Sequence, residues 1–215
     1  MRTLVIGNKN YSSWSLRPWL LMRHFGIAFD EIVLPLDTPE FFQRIAAYSP
    51  TGRVPALQLD DEVVWDSLAI CETVNERWLG GRAWPESPRA RAAARSAACE
   101  MHSGFGALRS QLPMNCRRQP RAPHWDAAAG RDIARIEQLW QELQSAHGSD
   151  GGFLCGQFGI VDAMFAPVCV RFRAYGPPLQ ASTLGYMQRM LALPAMMEWI
   201  SAAEAEPALV SADEA

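Results

Sequence analysis

The chain has 215 residues, 49% of them hydrophobic, and 20 lysines and arginines against 23 aspartates and glutamates give a formal net charge of −3. That length and apolar share suffice for one large or two small folded domains. The basic side chains, arginine everywhere except Lys9, are scattered instead of gathered into a stripe, which argues against nucleic acid as a partner.

Residues 3–6 read as a short strand, followed by a helix that ends near Gly26, a second strand over 29–34 and a second helix over 41–48. Residues 56–59 and 62–65 read as a hairpin closed by Asp60-Asp61, and 67–78 as a third helix. This order fits a mixed sheet flanked by helices, its last two strands antiparallel. Residues 80–88, Gly-Gly-Arg-Ala-Trp-Pro-Glu-Ser-Pro, break every periodicity. Residues 1–80 are therefore expected to form an α/β domain, 81–88 a linker and 89–215 an all-helical domain. Within the last, helices are predicted over 89–109, 127–147, 161–173, 182–193 and 195–205.

No segment approaches the roughly 20 apolar residues that cross a bilayer, and residues 3–6 lack the flank of a signal peptide. No membrane association is expected. Cys71, Cys99, Cys116, Cys155 and Cys169 are odd in number, make no CxxC and stand at no metal-like spacing with histidine. A reducing, cytoplasmic setting and no bound metal follow as expectations.

Two short stretches carry chemistry. In Thr51-Gly52-Arg53-Val54-Pro55, proline lacks an amide proton and has a reduced trans preference, so a cis Val54-Pro55 bond is expected. Such a bond turns the Val54 amide and carbonyl away from their own sheet, free to pair with a peptide ligand as an added strand does. Eleven residues on, Asp66-Ser67 opens an apolar periodic segment. Ser67 reads as the N-cap of a helix whose free amides and dipole favour a carboxylate. The hairpin carries both elements to one edge.

Together these residues resemble the glutathione S-transferase superfamily, with its Val-Pro before the third strand and its acidic or amide residue plus Ser before the third helix. The resemblance implies a thioredoxin-like N-terminal domain, an all-α C-terminal domain and a homodimer. It also implies that Val54 pairs with the cysteinyl part of glutathione, beside Arg53 and Pro55, and that Asp66 and Ser67 hold the γ-glutamyl end. Asn10-Tyr11-Ser12-Ser13-Trp14-Ser15-Leu16-Arg17 resembles the zeta-class pattern S-S-C-S-x-R, with Trp14 in place of the cysteine. Ser12 takes the place of the zeta catalytic serine, Ser13 is the alternative, and Tyr11 is a third candidate because other classes use a tyrosine there. Pro18 is expected to shift or disturb the helix start.

The energy required of such a group can be sized. Lowering a free thiol from about 8.5 by about two units takes roughly 2.7 kcal/mol. A helix N-terminus contributes about 0.3–1 and a hydrogen bond to a charged group about 1.5–3 kcal/mol. A serine at a helix start supplies both.

The family's helix-start motif resembles residues 156–162, where Gly159 takes the cap and Asp162 is the remaining half of the box. Asp162 is expected as a buried structural cap. Met101, Phe105, Leu108 and Met114 are candidates for an apolar co-substrate wall, with His102 and Arg109 as its polar groups. The position at which zeta enzymes keep an arginine for a substrate carboxylate is here Ala174, with Arg171 and Arg173 close by. The resemblance thus implies a transferase that activates the glutathione thiol against an electrophile. The alternatives are a zeta-like cis-trans isomerase of the maleylacetoacetate type, and a non-catalytic interaction protein.

Overall fold

A computed structural model describes residues 2–120, 124–148 and 151–214. Four strands, β1 (Thr3–Gly7), β2 (Asp30–Leu34), β3 (Ala56–Gln58) and β4 (Val63–Trp65), form one sheet in the order β2-β1-β3-β4. β1 runs parallel to β2, with Val5 opposite Ile32, and antiparallel to β3, with Leu4 opposite Leu57. A parallel neighbour needs a crossover, and helix α1 (Ser13–His24) supplies it. β3 and β4 need only the predicted hairpin, whose turn is closed by the Leu59 amide on the Glu62 carbonyl at 2.9 Å.

The period-2 alternation of β1 sorts two cores. Leu4 and Ile6 face α1 and α3 (Ser67–Trp78), whereas Val5 faces α2 (Pro39–Arg44) through Leu34, Phe41 and Ile45. The first core runs without interruption into the helical half. That half comprises α4 (Pro88–Ser103), α5 (Gly106–Gln111), α6 (Ala127–His147), α7 (Ile160–Tyr175), α8 (Ala181–Leu191) and α9 (Pro194–Ala205). α1 is buried on nearly every side because α3, α7 and α9 all pack on it. The result is the predicted α/β thioredoxin-like domain followed by an all-α C-terminal domain.

Several expected boundaries are corrected. α2 begins at Pro39 because the Thr38 hydroxyl accepts the Phe41 amide at 3.1 Å, and it passes into a 3₁₀ turn over Ile45–Ala47. The predicted single helix over 89–109 is two helices. Phe105 takes a left-handed φ of 58°, and Asp132 of α6 accepts the Leu108 amide at 2.9 Å, so α5 starts on a new axis. Pro18 does not displace the start of α1: the helix runs through it from Ser13, with no amide at position 18 for the Trp14 carbonyl. Asp162 is the buried cap the sequence predicts, accepting from the Leu154 and Gly159 amides and the Tyr186 hydroxyl, each at 3.0 Å.

Candidate functional site

Two clefts meet along Trp14, Arg53 and Val54. The smaller, about 420 Å³, lies where β3 and β4 deliver their ends. Val54-Pro55 is cis, and β3 begins only at Ala56. Val54 thus stands outside the ladder, and neither its amide nor its carbonyl makes a backbone hydrogen bond among the described residues. Across the cleft, β4 ends at Trp65 and Asp66 turns the chain into α3 with a φ of 75°.

The helix cap differs from the one predicted. Asp66, not Ser67, is the N-cap: its Oδ1 accepts the Leu68 and Ala69 amides at 2.9 and 3.3 Å. The positive φ swings its carboxylate beneath those amides and moves Ser67 to the first helical position. Its Oδ2 lies 3.1 Å from His102 Nε2, which reaches across from α4. Ser67 is left 1% exposed, lining the cleft, with a hydroxyl that has no hydrogen-bond partner. An unpaired buried hydroxyl costs about 1–3 kcal/mol, and at a helix N-terminus it stands as a donor without an acceptor.

The larger cleft, about 520 Å³, holds the start of α1. All three predicted hydroxyls line it, but they are differently engaged. Ser12 Oγ donates to Ser15 Oγ at 2.7 Å, and Ser15 Oγ in turn accepts the Gly7 amide at 3.1 Å. The Tyr11 hydroxyl donates to Glu214 and accepts from Arg117 Nη2 at 2.6 Å. Burial, and then the Glu214 carboxylate, hold its pKa above the ordinary tyrosine value. Ser13, 8% exposed, makes no side-chain hydrogen bond among the described residues and stands first in α1.

Apolar walls come from both halves of the molecule: Phe41 and Phe42 on one side, Pro113 and Met114 on the other. Of the predicted wall, Met114 and Arg109 line this cleft and His102 the smaller one. Met101, Phe105 and Leu108 sit instead in the helical core, at 1%, 7% and 0% exposure. The break at Gly104-Phe105 turns α5 away from the axis on which Met101, Phe105 and Leu108 would share a face. Sequence reasoning missed Phe41, Phe42, Asp37 and Asp213. The two phenylalanines had a signal in the Thr38-Pro39 cap just before them, whereas Asp213 arrives on a C-terminal segment with no periodicity to place it.

Positive charge gathers behind Trp14. The guanidinium carbons of Arg17 and Arg109 lie 4.0 and 4.9 Å from its indole centroid. Burial, then Arg109 and Arg171, hold Arg17 down to about 9, and burial, then Arg109, holds Arg171 down to about 10. The dipoles of α1 and α3 add partial positive charge at Ser13 and Ser67. Among the described residues no cluster of His, Cys, Asp and Glu is arranged to hold a metal ion.

A search of curated proteins finds no match. Solved structures share the fold. A glutathione transferase homologue from Burkholderia gl BGR1 with bound glutathione superposes at TM-score 0.71, with 22% identity over 95% of this chain and 99% of that one. The apo form of human glutathione-S-transferase T1-1 gives TM-score 0.68, with 18% identity over 99% and 95%. A glutathione-S-transferase from Xylella fastidiosa gives 0.67, with 21% identity over 94% and 98%. The family model for the glutathione S-transferase N-terminal domain matches residues 11–77, and that for the glutathione S-transferase C-terminal domain matches residues 119–202. With both domain models matched in chain order over most of its length, the chain belongs to the glutathione S-transferase superfamily.

Proposed function

We propose that the protein is a glutathione transferase that holds glutathione in the smaller cleft and presents its thiol to an electrophile in the larger. The observation that carries this reading is the buried, unpartnered Ser67 hydroxyl at the start of α3, across one cleft from the unpaired backbone of Val54. The γ-glutamyl carboxylate fits the Ser67 hydroxyl and the α3 amides, a charge-assisted site at a helix N-terminus. The Val54 amide and carbonyl pair with the cysteinyl unit like an added strand. Arg53 and Pro55 flank it, and Asp66, steadied by His102, faces the γ-glutamyl ammonium.

The thiol then reaches the start of α1, where the sulfur is activated by a hydroxyl and the helix dipole together. Ser13 is the preferred donor because its hydroxyl is uncommitted. Ser12 serves only by leaving Ser15, and Tyr11 only by leaving Glu214. The thiol proton passes to solvent, the thiolate forms its bond to the electrophilic carbon, and the electron pair departs with the leaving group or into the conjugated acceptor. The division at residues 81–88, a homodimeric assembly and a cytoplasmic setting belong to the same proposal.

The test is the pH dependence of turnover with a generic aryl halide for Ser13→Ala, Ser12→Ala and Tyr11→Phe. Loss of the sulfur's partner, a charged hydrogen bond of about 1.5–3 kcal/mol, raises the apparent thiol pKa by roughly one to two units. The expected shift appears in Ser13→Ala. A shift confined to Tyr11→Phe overturns the serine assignment, and no shift in any variant points to backbone amides.

A further inference from the structure

Among the described residues the two buried arginines lie near a third, and none of the three forms an ion pair. Arg17 on α1 is 1% exposed and Arg171 on α7 5% exposed, with Arg109 of α5 half-buried beside them. Among the described residues none of the three comes within ion-pair distance of a carboxylate. The more exposed Arg23, Arg44, Arg77 and Arg135 each do. Desolvation makes an unpaired charge most costly where it is most buried, so an unpaired Arg17 and Arg171 call for a partner.

Their donors are equally underused. Arg17 Nε and Nη1 and Arg109 Nε are buried without an acceptor. What bonds exist run to main-chain carbonyls: Arg171 to Leu112, and Arg109 to Met101 and His102. Of the neighbouring acids, Asp66 and Asp132 are occupied elsewhere. Asp66 holds α3 and His102, and Asp132 holds the Leu108 amide. Asp213 shares the larger cleft but forms no ion pair with Arg171.

Arg109 and Arg171 line the larger cleft, with Phe41, Phe42 and Met114 as its apolar walls and Ser13 at its mouth. We infer that this cleft takes a co-substrate with an apolar or aromatic body and a carboxylate, or an equivalent anion, paired with Arg109 and Arg171. Arg17, beneath Trp14, strengthens the field there without touching the ligand. The arginine set differs from the zeta pattern, whose position is the buried Ala174. The inference rests on the glutathione-transferase reading, because glutathione positions the reacting end.

The test uses unreactive conjugates that need no turnover. S-methylglutathione, S-benzylglutathione and the 3- and 4-carboxybenzyl conjugates are titrated by calorimetry into the full chain at one ionic strength. The better carboxybenzyl isomer is expected to bind about 10- to 100-fold more tightly than S-benzylglutathione, the gain from a hydrogen bond to a charged group. In Arg109→Met and Arg171→Met that preference is expected to fall to within about threefold. Because the readout is a ratio within one protein, partial unfolding of a variant cancels. Equal affinities in the unmodified chain, or a preference retained in both variants, overturn the anion site while binding of S-methylglutathione leaves the glutathione reading standing. Failure of all four ligands to bind overturns the glutathione reading and this inference with it.

Discussion

Ser67 shows how much a single backbone angle decides. With Asp66 at a φ of 75° the carboxylate takes the capping role, and the serine hydroxyl is left buried and unpaired at the cleft. Removing it by Ser67→Ala therefore breaks no bond within the protein and relieves an unpaired buried hydroxyl, so the unfolding midpoint is expected to hold or to rise, by the equivalent of up to about 1–3 kcal/mol. Glutathione affinity, by contrast, is expected to fall about 10-fold or more, the loss of one hydrogen bond to a charged group. Thermal melts and a calorimetric titration of both proteins check the two halves, and an unaltered affinity leaves Ser67 with no ligand role. The residue pair was legible in the sequence, but its division of labour was not, because either Asp or Ser can cap and only φ chooses. The same holds at the start of α1. Three hydroxyls were visible as candidates, whereas the partners that engage Ser12 and Tyr11, Ser15 and Glu214, become evident only when the chain is folded.

At the scale of elements, the long periodic helices were the easiest to read, and α6 spans the predicted residues 127–147 without change. Its apolar stripe, through Ile133, Ile136, Trp140 and Leu143, is wide and regular. The break between α4 and α5 was hidden because it depends on a tertiary partner, Asp132 from α6, which no local pattern reveals. α7 is held at its start by Asp162, and burial, against the hydrogen bonds it accepts, raises that carboxyl to about 6. Between the ordinary carboxyl value of 3.8 and about 6 the unfolded chain has released this proton and the folded chain still holds it. Stability therefore falls as pH rises through that window, by up to about 3 kcal/mol from this group. Asp162→Asn, which cannot ionise, is expected to flatten that part of the profile. Denaturant titrations from pH 4 to pH 7 check it, and an equal slope in both proteins contradicts the assignment.

Over the whole molecule, the two halves are bound together across the turn before α1, beside the larger cleft. Glu206 accepts the Lys9 and Asn10 amides at 2.7 and 3.0 Å, and Arg117 ties the Glu206 and Ala208 carbonyls at 2.6 and 3.0 Å. Asn10 and Asn115 bridge the same turn to the chain beyond α5 at 3.0 Å. The α/β and helical parts and the edge proposed to hold glutathione were legible because they are written in local periodicity and in Val-Pro and Asp-Ser. The C-terminal strap was not, since its acids carry no periodic signal. The site at this junction is claimed to bind glutathione and to ionise its thiol, and the most direct measurement is the ultraviolet thiolate absorbance of glutathione titrated onto the protein at pH 7. Free glutathione is about 3% thiolate there for a pKa near 8.5, and lowering that by about two units makes the bound form mostly thiolate. The proposed ionisation is expected to give a saturable thiolate band, displaced by S-methylglutathione and diminished in Ser13→Ala. Saturable binding of glutathione with no thiolate band, or no binding at all, contradicts it.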